Sequence, residues 1–400
     1  MLHRRLEEPD HSLPDERPKA FGGMSVAALT LTNFRNYGRA AIEVDDRPVV
    51  LTGPNGAGKT SLLEAISFLV PGRGLRQARL GEVDRLAADA TAWGVAATIV
   101  RPGGSVDIGT GRDPGEPPDR SERRLVKING ALAGGQSVLA ELLAVVWLTP
   151  QMDRLFIDGA SVRRRFLDRL VASFDPAHAK RLARYQHALQ ERAQLLARAG
   201  ANGADAAWLD AIETQIAEHG IAVSAARAEL IRRLTAVIAG DDGPFPKAAL
   251  AVVGAVEEWL ESLPALAAED RLRASLAENR RRDAESGHVQ IGPHRGDFQV
   301  THLDRRLPAA LCSTGEQKAL LVSIVLAHAR LLAGNSGTAP ILLLDEVVAH
   351  LDATRRRALF GAIIDLEIQA WLTGTDEDVF SDLRGHAQFP RVRDGVIQSA

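Results

Sequence analysis

The octapeptide Gly53-Pro54-Asn55-Gly56-Ala57-Gly58-Lys59-Thr60 limits what this chain can become more than any other stretch. It follows Val49-Val50-Leu51-Thr52 and precedes Ser61-Leu62-Leu63-Glu64-Ala65-Ile66, an order that predicts a strand, a phosphate loop and a helix. The spacing is that of the Walker A pattern. Its glycines let successive backbone N–H groups curl around phosphate oxygens at a helix N-terminus, where the dipole favours negative charge. In that pattern Gly53 to Ser61 form the cradle, Lys59 reaches the β- and γ-phosphates, and the Thr60 hydroxyl serves Mg²⁺. A glycine-rich turn alone would be weak evidence; the apolar strand before it and the Lys-Thr pair at its end make it a nucleotide loop.

With 46% hydrophobic residues, a chain of 400 can bury a sizeable core and divide into two or three domains. Lys and Arg number 48 against 51 Asp and Glu, a net charge of −3, so any affinity for nucleic acid must come from local basic patches. The single cysteine, Cys312, excludes an internal disulfide and a cysteine-rich zinc site, which fits a reducing interior and a cytoplasmic location. No run approaches the roughly eighteen consecutive apolar residues of a membrane span, and no apolar signal core stands near the N-terminus, so no membrane partner is expected.

Residues 1–23 are rich in charge, Pro and Gly without periodicity and read as a disordered tail; Met24 directly precedes the first structured element and is a plausible translation start. Two apolar runs between Val26 and Val50 flank Asn33-Phe34-Arg35-Asn36-Tyr37, either a plain hairpin turn or a wall beside a bound nucleotide, with Arg35 and Asn36 near it. Beyond the phosphate loop, Arg73 and Arg76 stand on a glycine-containing loop that suits a phosphate backbone or a solvated face. From Trp93 to about Trp147, alternating Val, Ile and Ala between Gly-Pro turns predict a small antiparallel sheet, with a loop from Gly109 to Pro118.

Near Ser161 the pattern becomes helical. Leu182, Tyr185, Leu189 and Leu196, then Leu209, Ile212, Ile216, Val223, Leu230, Leu234 and Ile238, recur at the spacing of two packed antiparallel helices, a short arm. Helix continues to about Asp283, and His288 to Val300 reads as strand, turn, strand around Gly292-Pro293-His294-Arg295. Arg163, Arg164, Arg165, Lys180, Arg181 and Arg184 form a basic segment, a DNA face or an ordinary solvated one. The expected divisions are 1–23, a first ATPase part over 24–160, a helical arm over 161–285, and a completing ATPase part over 286–400.

The C-terminal part carries a second constellation. Ser313-Thr314-Gly315-Glu316-Gln317 opens a strongly apolar helix, with Ser313 as N-cap and Glu316 three residues on. Ile341-Leu342-Leu343-Leu344-Asp345-Glu346 is a Walker B pattern: a buried strand delivers Asp345 to the Mg²⁺ shell, and Glu346 can polarise the attacking water. His350-Leu351-Asp352 follows. Signature, helix, Asp-Glu and Leu-Asp, in that order, make an α/β fold: an ABC-type P-loop ATPase head with a small antiparallel sheet and a short helical arm inserted.

Asn33 to Tyr37, Arg163 to Asp168, and Gly292 to Arg295, together with the two constellations, resemble the RecF family of bacterial recombination-repair proteins, from about residue 25 to the end. The resemblance implies an SMC-related head that dimerises on ATP, binds gapped, single- or double-stranded DNA, and works with RecO and RecR to place RecA at single-strand gaps. It implies that Ser313 and Gly315, with Glu316 and Gln317, contact a nucleotide held by a second copy. It also places Gln151, in Thr149-Pro150-Gln151, where Mg²⁺ and the lytic water are sensed. The family often has two aspartates where this chain has Asp345-Glu346, and an acidic residue where His350 stands. A switch histidine is absent from Trp371-Leu372-Thr373-Gly374-Thr375, leaving its substitute open.

The alternatives are an ABC-transporter subunit, whose Walker A and signature normally stand closer together; an SMC-like ATPase, for which helices of roughly thirty residues, about 45 Å, are short; a P-loop kinase, which needs no signature; and an ATP-binding DNA scaffold with negligible hydrolysis.

Overall fold

The computed structural model describes residues 23–86, 92–115, 123–203, 205–336, 339–348 and 351–398; the tail read over 1–23 falls almost wholly outside them, as does His350. Three sheets form the frame. The central one runs Val396–Gln398, Arg391–Arg393, Val49–Thr52, Ala370–Gly374, Ile341–Leu344, Val145–Leu148, and is parallel apart from its terminal hairpin. Val49–Thr52, Ile341–Leu344 and Val145–Leu148 are buried at every position, as strands covered on both faces must be, which explains their unbroken apolar sequence.

A six-stranded antiparallel sheet orders Tyr37–Glu43, Ser25–Phe34, Gly94–Arg101, Gly104–Arg112, Arg124–Ile128 and Ala131–Leu132. This is the small sheet expected between Trp93 and Trp147, enlarged by the two strands before the phosphate loop. Gly109 to Arg112 continue a strand where a loop was expected, paired with Arg124 to Lys127. Phe34, Phe68 and Trp93 meet edge to face or tilted at 4.8–6.0 Å and tie this sheet to the phosphate-loop helix Lys59–Ser67.

The arm helices are Ala177–Gly203 and Ala206–Ala239, of 27 and 34 residues. Leu209, Ile212, Ile216, Val223, Leu230, Leu234 and Ile238 are all buried, so the periodic seam is a packing seam. Asp205 caps the second helix by accepting from the Ala207 and Trp208 amides. The helix expected to run on to Asp283 is interrupted: Ala248–Val253 is a strand, paired with Asp297–His302, which also pairs Leu307–Pro308. Two small β-favouring residues in an Ala-rich run, Val252 and Val253, were too weak a signal against helical composition. The strand expected at His288 to Ile291 is absent. Val289 O there accepts from the side chains of His294 and Arg295 instead of entering a ladder.

Residues 161–285 contribute to two cores. Tyr185, Ile212, Ile216, Leu272 and Leu276 pack in one cluster, whereas Leu230, Leu234 and Ile238 share the core of helix Ala160–Phe174 and the signature helix Thr314–Ser336. Thr314–Asn335 is the one helix among the described residues long and apolar enough to cross a membrane, but 78% of that window is buried within the protein. It is the core helix of the head.

Candidate functional site

Strand Ala370–Gly374 lies between the Walker A strand and the Walker B strand and runs parallel to both, with Gly374 beside Thr52 and Leu372 beside Leu344. Their C-terminal ends therefore open at one edge, where ligands bind in parallel α/β sheets. The Thr60 hydroxyl donates to the Asp345 carboxylate, whose oxygens are 2.9 and 3.1 Å away. Thr373 Oγ1 lies 2.8 Å from Asp345 Oδ1 and accepts from the Glu346 amide at 2.9 Å. Glu346 is held at a φ of 52°, in the left-handed region where Cβ crowds a carbonyl oxygen, and the Thr373 hydroxyl accepts from its amide there. Sequence pattern alone does not mark Thr373, which lies in the segment 371–375 that lacks a switch histidine; a hydroxyl at the end of an apolar strand is its signal.

Lys59 is buried, and its ammonium donates to the carbonyls of Gly53 and Pro54 at 2.6 and 2.8 Å. Burial pushes it below the usual lysine range, opposed by the nearby Glu346 and Asp345 charges. Two glycines of the loop are sterically required. A Cβ on Gly53 would meet Val392 O at 2.0 Å, and one on Gly58, at a φ of 116°, would meet the Tyr37 hydroxyl at 2.5 Å. Asn36 donates to Ala57 O at 3.3 Å, and Tyr37 is buried, so the Asn33 to Tyr37 turn braces the phosphate loop from the side.

A cavity of about 180 Å³ is lined by Asn55, Gly56, Gly58, Lys59, Thr60, Ser61, Arg76 and Glu346. A second, of about 560 Å³, shares Gly56, Ser61 and Arg76 with it and extends along Arg35, Asn36, Glu82, Asp84, Arg85 and Leu86. Together they offer a polyanion end at the glycine loop and a wider, mixed end beyond it. Glu64, fully buried on the phosphate-loop helix, binds Arg35 through both oxygens at 2.9 and 2.5 Å and Arg76 at 3.3 Å. Arg35, read as part of either a plain hairpin turn or a wall beside a nucleotide, is thus held by Glu64 and by Glu82 O, while Arg76, read as suiting either a phosphate backbone or a solvated face, lines the glycine-loop cavity. Glu64 escaped sequence reasoning because an acidic residue on a helix ordinarily faces solvent.

Thr60, Asp345 and Glu346 present hard oxygen donors, and no group of three or more His, Cys, Asp and Glu able to hold a metal occurs among the described residues. The hard oxygens of Thr60 and Asp345 suit Mg²⁺, which is usually bound by one or two protein oxygens, waters and substrate phosphates. Gln151 is exposed in the turn Pro150–Arg154 after the strand beside Walker B, and it does not line the cavity. That turn is tied to the signature helix by Lys318 and Asp153, 3.3 Å apart.

Ser313, Thr314 and Gly315 are exposed and do not line the cavity at the glycine loop. The expected capping box is half formed. Glu316 accepts from the Ser313 amide at 3.0 Å, but the Ser313 hydroxyl also donates to Glu316, at 2.8 Å, instead of accepting from the helix. Gln317 donates to Cys312 O at 2.9 Å and is buried, so its side chain holds the turn's backbone.

The basic segment divides. Arg163 pairs with Asp297, and Arg164 donates to Gly296 O at 2.6 Å, so these two anchor the turn after Gly292 to the helix Ala160–Phe174. Arg181 pairs with Asp175. Arg165, Lys180, Arg184 and Arg73 are exposed and carry no ion pair among the described residues. Run composition could not separate the two groups, because Asp297 lies more than a hundred residues away.

The chain's residues 28–84 match the family model described as AAA domain. It is 50% identical over 374 residues, 93% of this chain and 97% of the relative, to the DNA replication and repair protein RecF of Mesorhizobium japonicum. It is 47% identical over 394 residues to the protein of that name from Brucella suis, covering 98% and 99%. Among solved structures, the recombination mediator protein RecF-ATP in the RecFOR pathway shares the fold at a TM-score of 0.81 and 21% identity, covering 96% of this chain and 99% of that one. The Smc head domain with an extended coiled coil from Pyrococcus furiosus follows at 0.52 and 16%, covering 94% and 96%. With the head fold, the phosphate loop and near-complete coverage at such identity, the chain belongs to the RecF family of DNA replication and repair proteins.

Proposed function

We propose that this chain is an ATP-operated DNA-binding repair protein whose two copies close on ATP and open on its hydrolysis. The observation that carries the reading is the join of Thr60, Asp345 and Thr373, which brings Walker A and Walker B oxygens together from residues 285 positions apart in the chain. ATP is held by Gly53 to Ser61, with the Lys59 ammonium leaving its loop carbonyls for the phosphates. Arg76 adds charge at the cavity mouth. Thr60 and Asp345 would hold Mg²⁺, which would supply positive charge to phosphate oxygens. Glu346 orients the attacking water, and Gln151 approaches from its turn. Thr373 takes the place at which a switch histidine was missing.

The signature turn acts on a second copy's nucleotide. Its exposure supports this, because a helix N-terminus left open at the surface offers N–H groups and positive dipole to an incoming phosphate. ATP thereby joins two heads, and its hydrolysis is a slow, DNA-stimulated switch. Gapped, single- or double-stranded DNA contacts Arg165, Lys180, Arg184 and Arg73, and RecO and RecR are the protein partners, acting in the cytoplasm to place RecA.

Sedimentation with ADP, with ATP, and with ATP plus gapped DNA tests this. Dimers with ATP alone or with DNA, and monomers with ADP, are expected, and Glu346→Gln should trap the dimer. A Glu346→Gln variant that stays monomeric with ATP at high concentration contradicts the reading.

A further inference from the structure

The signature turn is not idle in the single chain. Its two outward donors, the Ser313 amide and the Ser313 hydroxyl, both point at Glu316 Oε2. The other oxygen of that carboxylate, Oε1, is held at 2.5 Å by Arg305. Arg305 lies 58% exposed on the tight turn joining Asp297–His302 to Leu307–Pro308, where Arg306 adopts a φ of 53°. Among the described residues Arg305 forms no other ion pair.

These contacts set up a competition. A carboxylate in the first turn of a helix is stabilised by the same N–H groups and dipole that would attract a phosphate. Glu316 therefore sits on the donors a second copy's γ-phosphate requires, and its own charge repels that phosphate. We propose that Glu316 is a resident surrogate anion on the signature turn and that Arg305 is the positioning residue that draws it aside and neutralises it when the two heads close. The inference rests on the two-headed reading above. It assigns no contact with nucleotide to Arg305: the guanidinium works through Glu316. The charge balance is simple. In the open chain one carboxylate is shared between Ser313 and Arg305; in the closed pair Arg305 keeps both oxygens, and the Ser313 donors turn to the phosphate.

A double-mutant cycle with ATPγS tests it, the readout being the protein concentration at half-dimerisation by sedimentation. Arg305→Ala should raise that concentration about fivefold, the size expected for losing an exposed charge pair. Glu316→Gln should lower it, because the neutral amide preserves a cap acceptor and removes the repulsion. In the Glu316→Gln background, Arg305→Ala should change it by less than about twofold. An Arg305→Ala effect of equal size in both backgrounds would mean that Arg305 acts directly on the second copy, and overturns the proposal. So would a Glu316→Gln chain that pairs less well. A wild-type chain that binds ATPγS yet never dimerises sinks the two-headed reading, and the role of Glu316 and Arg305 with it, so the two failures are distinguishable.

Discussion

Two buried clusters of carboxylate and guanidinium groups, one beneath the phosphate loop and one in the arm, differ in whether a cation is left facing open space. In the arm, Arg192 is fully buried and gives Nε to Glu213 at 2.9 Å, Nη1 to Asp283 at 2.7 Å and Nη2 to Leu276 O at 2.7 Å. Arg280 covers the rest of Glu213 at 2.5 Å. Under the phosphate loop, Glu64 is equally buried, but one of its partners, Arg76, is held at 3.3 Å, is 34% exposed and lines the cavity. The closed cluster can serve only the fold. The open one keeps a positive group at the edge of the glycine-loop cavity, balanced by a fully buried carboxylate.

The largest effect that could break this contrast belongs to the closed cluster. Arg192→Ala leaves Asp283 buried without its guanidinium, although Arg280 still covers Glu213, and should cost about 3–5 kcal/mol of stability in denaturant titration. Nucleotide affinity of the folded variant should not change. If it fell along with stability, the arm cluster would be part of the nucleotide machinery and the distinction would fail.

Arg76→Ala sharpens the same contrast from the other side. Its ion pair is long and partly exposed, so stability should move by no more than about 0.5 kcal/mol. ATP affinity, read by titration with a fluorescent analogue, should fall about tenfold, the equivalent of 1.4 kcal/mol, through loss of one charge-assisted phosphate contact. Loss of stability without loss of affinity would return Arg76 to a structural role.

The sequence made the glycine loop, the Walker B strand and the signature legible because each is local: a few adjacent residues fix backbone shape and chemistry together. The helical seam was legible too, since Leu209 to Ile238 repeat with the helix period and every one is buried. What it concealed are the long-range partners. Thr373 meets Asp345 across adjacent strands, Glu64 meets Arg76 across a loop, and Asp297 claims Arg163 from 134 residues away. None of these pairings has a periodicity. Strand Ala248–Val253 was hidden for the same reason, as its partner Asp297–His302 lies beyond three helices.

That long-range principle yields the smallest and most selective expectation, within one run of three arginines. Arg165, with Lys180 and Arg184, projects from the arm base without an ion-pair partner among the described residues, whereas Arg163 is committed to Asp297. Replacing Arg165, Lys180 or Arg184 singly by Ala should leave the melting temperature nearly unchanged. If each neutralises one phosphate, each should reduce the steepness with which duplex affinity falls in log salt by about 0.9, or about 0.7 on single strands. Arg163→Ala should do the reverse, lowering stability by exposing Asp297 to its loss while leaving the salt slope intact. Should Arg163→Ala flatten the slope and Arg165→Ala only destabilise, the division between anchoring and free cations would have to be redrawn: Asp297 would then be the group that holds a DNA-contacting arginine in place, and the exposed side chains of the arm would be an ordinary solvated face.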